Sequence, residues 1–525
     1  MMAPIHRFWC GSAFALLMSV SVGLMGVARG GAAQTPHEVG QLQGKSAMHS
    51  EIAAPKPGHE AQPVTLAQMQ AQAEALAQKL AAGSNAAKLV EIQAFGPGFV
   101  QHWQLPNGLQ IAIAADADAP LVAVHTWVRV GSAYETAGKT GLAHLMEHLM
   151  FKATRTRAGG VFDRVLEQVG ASANAATFLD WTYYHETVPP PHLATVLEME
   201  ADRMVNLDLT AAAFKAELEV VKNERREHVE NDADGLLDEA LADAAFAGHP
   251  YGHPVIGTAA DLEKLNLQDV QGFYRQHYGP SRAMLVLVGA VDAQVALEAI
   301  AKFYGPIAAN SKAIAAPHGK AAADTVHRVV SVEGQASRLL VAWRTVPGDH
   351  TDAAALQVLA ETLFNADSAR IQRALLYDAK VAAHVSGHVS DAQLGNLFDV
   401  RMAMLPGKTA HDGLAALDAA TLALLSDKPL TDDEVAAAKN RLKMQHYREL
   451  TGVDGRAEAL GHAWATFGSL GHHAKVWQAV AQTSAADVRR VAKTYLIDKR
   501  ITVVSEPPTE KTVQKQRKTK AKVQT

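Results

Sequence analysis

Cysteine is nearly absent from the chain: its 525 residues include one, Cys10, in an apolar N-terminal segment. Without that segment the protein has no disulfide, no thiolate metal site and no cysteine nucleophile, so catalysis would depend on histidine, carboxylates, hydroxyl groups or a metal ion. Neither charge sign predominates, and a formal net charge of −5 argues against a broad nucleic-acid-binding surface. With 48% hydrophobic and 20% charged residues, the chain is neither disordered nor collagen-like, and its length predicts more than one domain.

The N-terminal 33 residues have the composition of a secretory signal. Arg7 precedes an apolar run over 8–27, and the small residues Gly31, Ala32 and Ala33 follow it. The run is about as long as a short membrane-spanning helix, so an uncleaved membrane anchor is the alternative. Gly, Ser and Ala dilute the run, which favours cleavage. We therefore expect 1–33 to be a cleaved signal peptide and the mature chain to be periplasmic, without stable membrane insertion.

The rest of the chain changes pattern three times. A Gln-, Ala- and Gly-rich leader without apolar period contains one predicted helix, Leu66–Leu80. From about Phe99, strand-like and helix-like segments alternate, which predicts an α+β fold. The end of the chain is basic, with six Lys and Arg between Glu510 and Thr525. The expected boundaries are 34–95 for the leader, 96–320 for a first domain, 321–505 for a second and 506–525 for the tail.

The two expected domains share an order of segments. In the second, the strand ending at Trp343 leads to the helix Ala353–Phe364. In the first, the strand ending at Trp127 leads to the helix 142–151. We interpret this order as an internal duplication in which the first strand-and-helix pair repeats as the second.

The first of these helices carries the motif His144-Leu145-Met146-Glu147-His148. Helical spacing puts both imidazoles and the carboxylate on one face, one turn apart. Two histidines at i and i+4 can chelate one zinc ion, and the glutamate between them can reach a water molecule at the metal. The order is that of the inverted zinc-peptidase motif. The structural alternative is a partly buried helix whose histidines bond to neighbouring carboxylates.

A catalytic zinc ion needs a third protein ligand and one open position. The predicted helix 211–229 is rich in glutamate, and Glu217 and Glu224 share one face of it because they are two turns apart. Valines nearby suggest that this face points inward, where acids need a partner such as a metal or a ligand histidine. The other glutamates of this stretch fit an ordinary solvated face.

From about Leu105 to Val504 the chain resembles the pitrilysin-like metallopeptidases, which include mitochondrial processing peptidase and insulin-degrading enzyme. In that family a glutamate ligand follows the inverted motif after about 76 residues, which here is Glu224. The other matching segments, in chain order, are Leu105–Leu109, Gly131-Ser132, Gly170-Ala171, Asn174–Thr177, Thr182–Tyr184, Ala201–Met204, His249–Gly252 and Pro254–Gly257.

The resemblance implies two homologous domains, each a mostly antiparallel sheet packed with helices, the first bearing zinc and the second degenerate. It implies one Zn²⁺ per chain, held by His144, His148 and Glu224, with Glu147 as general base. Glu217 would contact one of the ligand side chains and hold it in position. The segment 171–177 would be an edge strand that pairs with an extended peptide or unfolded polypeptide, with Asn174, Ala175 and Thr177 as candidate contacts.

The second domain departs from the family pattern. Active assemblies carry an Arg and a Tyr there that hold the substrate carbonyl, and alignment on 370–375 places these positions at Leu376 and Ala383. We therefore expect a zinc-dependent endopeptidase that is the zinc-bearing subunit of a two-chain assembly, whose homologous partner carries the Arg/Tyr pair. A homodimer is the alternative assembly. The alternative function is a non-catalytic assembly or scaffold subunit that retains the fold.

Overall fold

The computed structural model describes residues 64–81, 86–309, 317, 329–333, 337–426, 428–496 and 500–506. The expected signal peptide, the first part of the leader and the basic tail beyond Glu506 lie outside the described residues, as does Cys10. Of the helices in the described ranges, none combines the length and the apolar character needed to cross a membrane.

The described residues form twelve strands and sixteen α-helices. The strands are β1 (Lys88–Phe95), β2 (Gly98–Gln104), β3 (Gln110–Ala115), β4 (Val122–Val128), β5 (Ser172–Thr177), β6 (Thr182–Val188), β7 (Ala283–Gly289), β8 (Val329–Glu333), β9 (Arg338–Thr345), β10 (Ala382–Val389), β11 (Asn396–Met404) and β12 (Arg500–Glu506). The helices are α1 (Leu66–Leu80), α2 (Leu142–Leu149), α3 (Val161–Gln168), α4 (Leu193–Asn206), α5 (Ala211–Arg225), α6 (Ala233–Ala245), α7 (Ala259–Leu262), α8 (Leu267–His277), α9 (Ala293–Tyr304), α10 (Ala353–Phe364), α11 (Arg370–Arg373), α12 (Ala410–Leu425), α13 (Asp432–Glu449), α14 (Val453–Phe467), α15 (His472–Gln482) and α16 (Ala485–Tyr495).

The strands of the described residues make two sheets, of seven and five strands, that share a five-strand order. The first has the order β1-β2-β3-β7-β4-β6-β5 and the second β10-β11-β9-β12-β8. Read from its other end, the second sheet repeats the last five positions of the first, including one parallel pair, β3 with β7 and β8 with β12. The other neighbouring strands pair antiparallel. The predicted α+β fold of two related, mostly antiparallel domains is confirmed.

The two tryptophans at the strand ends do not occupy equivalent positions of the repeat. Trp127 of β4 faces α14 and stacks on Tyr183, with ring centroids 4.4 Å apart. Trp343 of β9 faces the other side of its sheet, towards α10, where it packs with Phe398. Because successive strand residues point to opposite faces, matching the two tryptophans shifts the repeat by one residue and exchanges the faces.

Each half of the chain gives one helix to the sheet of the other half. From the first half, α6 packs its buried residues Leu237 and Leu241 on β9 and β12. From the second half, α14 packs Leu460 and Trp464 on β4 and β7. A Cβ atom on Gly461 of α14 would lie 1.9 Å from Nε1 of Trp127, so the close approach of this helix to the sheet requires glycine.

Two predicted helices, Leu66–Leu80 and Ala353–Phe364, have the bounds that their patterns indicated. The predicted helix 211–229 ends earlier, as an α-helix at Arg225, and continues as one π-helical turn over Arg226–Glu230. Such widened turns are frequent next to functional residues, and Glu224 is the last but one residue before it.

Candidate metal centre

The helix that carries the histidine motif is short, buried and fixed at its start. All eight residues of α2 are buried, and Gly141 precedes them with φ +92°. The Glu135 carboxylate accepts hydrogen bonds from the backbone N–H of Gly141 at 2.9 Å and of Ala143 at 2.7 Å. A Cβ atom on Gly141 would lie 2.7 Å from the carbonyl oxygen of Ile256, so this position also requires glycine. These contacts set where the motif begins.

The imidazoles of His144 and His148 lie side by side, with ring centroids 4.8 Å apart. The Nε2 atoms of both rings approach Oε2 of Glu224 on α5, at 3.8 Å from His144 and 3.3 Å from His148. One ligand atom from each of these three residues lies within 4.8 Å of the other two. Zinc ligands 2.0–2.1 Å from a tetrahedral ion are about 3.3 Å apart, so the spacing suits one such ion.

The atoms that face each other here have no other partner. Nε2 of His148 and Oε2 of Glu224 are both buried, and neither makes a hydrogen bond. Buried polar atoms without partners are costly in free energy, and a cation between them removes that cost. Two imidazoles and a carboxylate are the ligand set of a catalytic zinc ion, with the fourth position open. The residues present therefore fit zinc.

Glu217 faces the ring nitrogen of His148 that does not face Glu224. Its Oε2 is 3.6 Å from Nδ1 of His148, and its Oε1 is 2.9 Å from Nζ of Lys152. Burial would raise the pKa of Glu217, but His148 and Lys152 lower it overall. A carboxylate on the second ring nitrogen fixes the orientation of a ligand imidazole. Lys152 was not predicted from the sequence, because it lies beyond the end of α2 and outside the helical register of the motif.

Thr177, at the end of β5, contacts the expected general base. Its hydroxyl donates a hydrogen bond to Oε2 of Glu147 at 2.5 Å. Burial raises the pKa of Glu147 to about 7, and the Thr177 hydrogen bond opposes that rise. Thr177 was expected only as a candidate substrate contact. Its hydrogen bond to Glu147 was not predicted, because the two residues are on separate elements.

The other two candidate substrate contacts lie on opposite faces of β5. Ala175 is buried in the same cluster as residues of α2. Asn174 is on the other face, since neighbouring strand residues alternate, and its Oδ1 accepts a hydrogen bond from the N–H of Ala175 at 2.9 Å. The structure thus places Ala175 and Thr177 on the face of β5 that is directed towards the histidine motif, and Asn174 on the opposite face.

The two imidazoles have pKa values that are shifted in opposite directions. Burial and the neighbouring His148 lower the pKa of His144 to about 3. Burial would also lower the pKa of His148, but Glu217, Glu224 and Glu147 raise it to about 9. Three carboxylates around two imidazoles favour a positive charge at their centre, which a divalent cation provides.

The fold and this site define a metallopeptidase-like protein, and the chain belongs to peptidase family M16, the insulinase family. Residues 110–259 match "Insulinase (Peptidase family M16)" and 264–442 match "Peptidase M16 inactive domain". The resemblance to pitrilysin-like metallopeptidases is confirmed.

Similar proteins include the zinc protease PqqE of Helicobacter pylori, which is 31% identical over 299 residues, covering 56% of this chain and 67% of that protein. A probable mitochondrial-processing peptidase subunit beta of Arabidopsis thaliana is 24% identical over 408 residues, 76% of each chain. Among solved structures, a protease from Helicobacter pylori superimposes with a TM-score of 0.75 at 26% identity, covering 80% of this chain and 100% of that one. The family thus includes zinc proteases.

Proposed function

We propose that this chain is a zinc-dependent endopeptidase in which His144, His148 and Glu224 hold the metal and Glu147 is the general base. The observation that carries the proposal is the convergence of three ligand atoms within 4.8 Å of one another, on two buried histidines and one partly buried glutamate. Zinc, when bound, would supply Lewis-acid activation of water and of the scissile carbonyl. Glu147, on the same helix face, would take the proton of the attacking water and pass it to the leaving amine.

The substrate in this proposal is an extended peptide or an unfolded protein segment. β5 is at the end of the first sheet, so one edge of this strand is open to another strand. A peptide that adds to β5 would bind through main-chain hydrogen bonds, with little dependence on its sequence. Its path would pass Glu147, because the last residue of β5, Thr177, is hydrogen-bonded to that carboxylate. A folded domain is not expected to fit, because its backbone is not available as an extended segment along β5.

We also propose that the chain works as the zinc-bearing subunit of a two-chain assembly in the periplasm. Leu376 and the exposed Ala383 occupy the positions where family assemblies carry an Arg and a Tyr, and neither side chain can donate a hydrogen bond to a carbonyl. A homologous partner would supply that pair, and the name of one relative, a subunit beta, fits such an arrangement. The apolar N-terminal segment supports export.

The test of the catalytic proposal compares Glu147→Gln with native protein on a quenched fluorescent peptide. Native protein is expected to bind one zinc ion at this site and to lose hydrolysis on chelation. Glu147→Gln should keep the zinc and lose hydrolysis, because the amide cannot accept the proton. The control is Glu167→Gln, on the exposed side of α3. If native protein neither holds zinc here nor cleaves peptide, even with its homologous partner, it is the non-catalytic assembly subunit.

Assembly and location have separate tests. Hydrolysis by the purified chain is expected to be weak and to rise when a homologous chain with the Arg/Tyr pair is added. Full activity of the isolated chain would contradict the two-chain assembly and favour the homodimer. Immunoblots of cell fractions should find the protein in the periplasm, and its presence only in the cytosol would contradict export.

A further inference from the structure

A second group of metal-ligating residues lies on the opposite face of the first sheet. His125 of β4 and His185 of β6 are directly opposite each other in the antiparallel register, and their ring centroids are 5.4 Å apart. Both face α14, the helix that the second half of the chain contributes. Asp454, in the first turn of that helix, completes a group whose ligand atoms lie within 4.8 Å of one another.

The contact between the helix and the strand pair is long for a hydrogen bond. Nε2 of His125 is 3.4 Å from Oδ1 of Asp454, compared with the usual 2.7–3.2 Å for a nitrogen donor and an oxygen acceptor. It is close to the separation of about 3.3 Å that two ligands of one tetrahedral zinc ion have. The same separation, 3.3 Å, joins His148 to Glu224 in the centre on the other face. The spacing therefore suits a bridging ion as well as the long hydrogen bond that these two atoms make directly.

The side chains of this group are held in place by their neighbours. His125 is buried, and its Nε2 is the ring nitrogen that faces Asp454. The hydroxyl of Thr187 donates to Oδ1 of Asp454 at 2.6 Å and fixes the carboxylate over the strands.

The surroundings give this group both support and access. The ring of Tyr183 stacks on His185 at 5.2 Å and holds it in place. His125 is 1% exposed, whereas the side chain of Asp454 is 53% exposed, so an ion can enter from the helix side.

We propose that His125, His185 and Asp454 form a second site for a transition-metal cation of the zinc class, separate from the centre on α2. Two imidazoles and one carboxylate select zinc and similar borderline ions over magnesium or calcium, which prefer oxygen ligands. Because Asp454 is on α14 and both histidines are on the first sheet, the ion would link the two halves of the chain. Its role is to stabilise that contact, without part in peptide hydrolysis.

The experiment titrates metal-stripped full-length protein with Zn²⁺ by calorimetry and determines bound zinc by elemental analysis after desalting. Native protein is expected to take up two equivalents. His185→Gln and Asp454→Asn should each take up one, with peptide hydrolysis retained. The matched control is Asp433→Asn, an exposed aspartate in the first turn of α13, which should still take up two. Circular dichroism checks that each variant is folded.

A variant of the other centre separates this proposal from the proposed function. His148→Ala should lose the equivalent that supports hydrolysis and keep the one that depends on Asp454. Uptake that stops at one equivalent in native protein and disappears in His148→Ala would overturn the second site, as would two equivalents in both His185→Gln and Asp454→Asn. One equivalent that survives His148→Ala and disappears in Asp454→Asn would support the second site and contradict the zinc centre on α2.

Discussion

Arg441 of α13 pairs with Glu361 of α10: its Nε lies 2.5 Å from the Glu361 carboxylate, and its Nη2 donates to the backbone carbonyl of the same residue at 2.9 Å. These two helices contact each other beside the second sheet as α5 and α2 do beside the first. One helix pair brings imidazoles and a carboxylate together, and the other brings together a carboxylate and a guanidinium. In the second pair, the opposite charges of Glu361 and Arg441 cancel without a metal ion. This agrees with the match of this region to an inactive domain.

Replacing Arg441 should destabilise the protein without affecting the metal. Arg441→Leu leaves the buried Glu361 carboxylate without its cation, and we expect the free energy of unfolding to fall by about 1–3 kcal/mol. Zinc content should not change. Urea denaturation followed by circular dichroism measures the loss, and Arg373→Leu, at an exposed position of α11, is the control. An unchanged unfolding midpoint would mean that the pair contributes nothing.

Removing the charge of Glu217 should weaken zinc binding. Glu217→Gln loses the carboxylate that faces Nδ1 of His148, and we expect an affinity for zinc about 10–100-fold lower. Competition with a chromogenic chelator measures this affinity. Glu219→Gln, on the same helix with a side chain that is 62% exposed, should bind zinc like the native protein. Equal affinities for the two variants would contradict a supporting role of Glu217.

Removing the hydroxyl of Thr177 should slow turnover. Thr177→Val leaves Glu147 without its hydrogen bond, and we expect kcat to fall about tenfold with little change in KM, because the base is no longer held in position. Thr177→Ser should restore most of the rate, and Thr136→Val, at an exposed position, is the control. A higher KM with an unchanged kcat would instead assign Thr177 to substrate binding.

Asp399 should make stability depend on pH. Burial raises its pKa from 3.8 to about 7, so between these pH values the folded protein binds a proton that the unfolded chain releases. This contribution to stability is present below about pH 4 and is lost as the pH rises to about 7. Asp399→Asn should therefore raise the urea midpoint at pH 8 more than at pH 4. Asp378→Asn, at an exposed position, should show no such difference.

Local patterns in the sequence predicted the elements of the site but not the contacts between them. The helical spacing of His144 and His148 depends on one helix alone, and it placed both rings on one face. The two-turn spacing of Glu217 and Glu224 made both candidates, and the family resemblance selected Glu224, because no local pattern shows which glutamate of a helix meets a distant helix. The bond from Thr177 to Glu147 joins a strand to a helix, so only the tertiary fold reveals it.

The fold was predictable to the same degree. The patterns of β4 and β9 indicated strands, but the face of each side chain follows from pairing with the neighbouring strands, so the repeated order of segments did not show that Trp127 and Trp343 point to different faces. The sequence did not indicate which sheet buries α6 and α14, since each packs on strands that are distant in the sequence.

The exchange of α6 and α14 sets an order of events during synthesis. The face of the first sheet that includes Trp127 is covered by α14, which ends at Phe467. Most of the chain must therefore leave the ribosome before this face can be buried. Until then a nascent N-terminal half exposes aromatic side chains and is prone to aggregate. We therefore expect that neither half folds independently and that a gene fragment encoding one of them alone yields insoluble product.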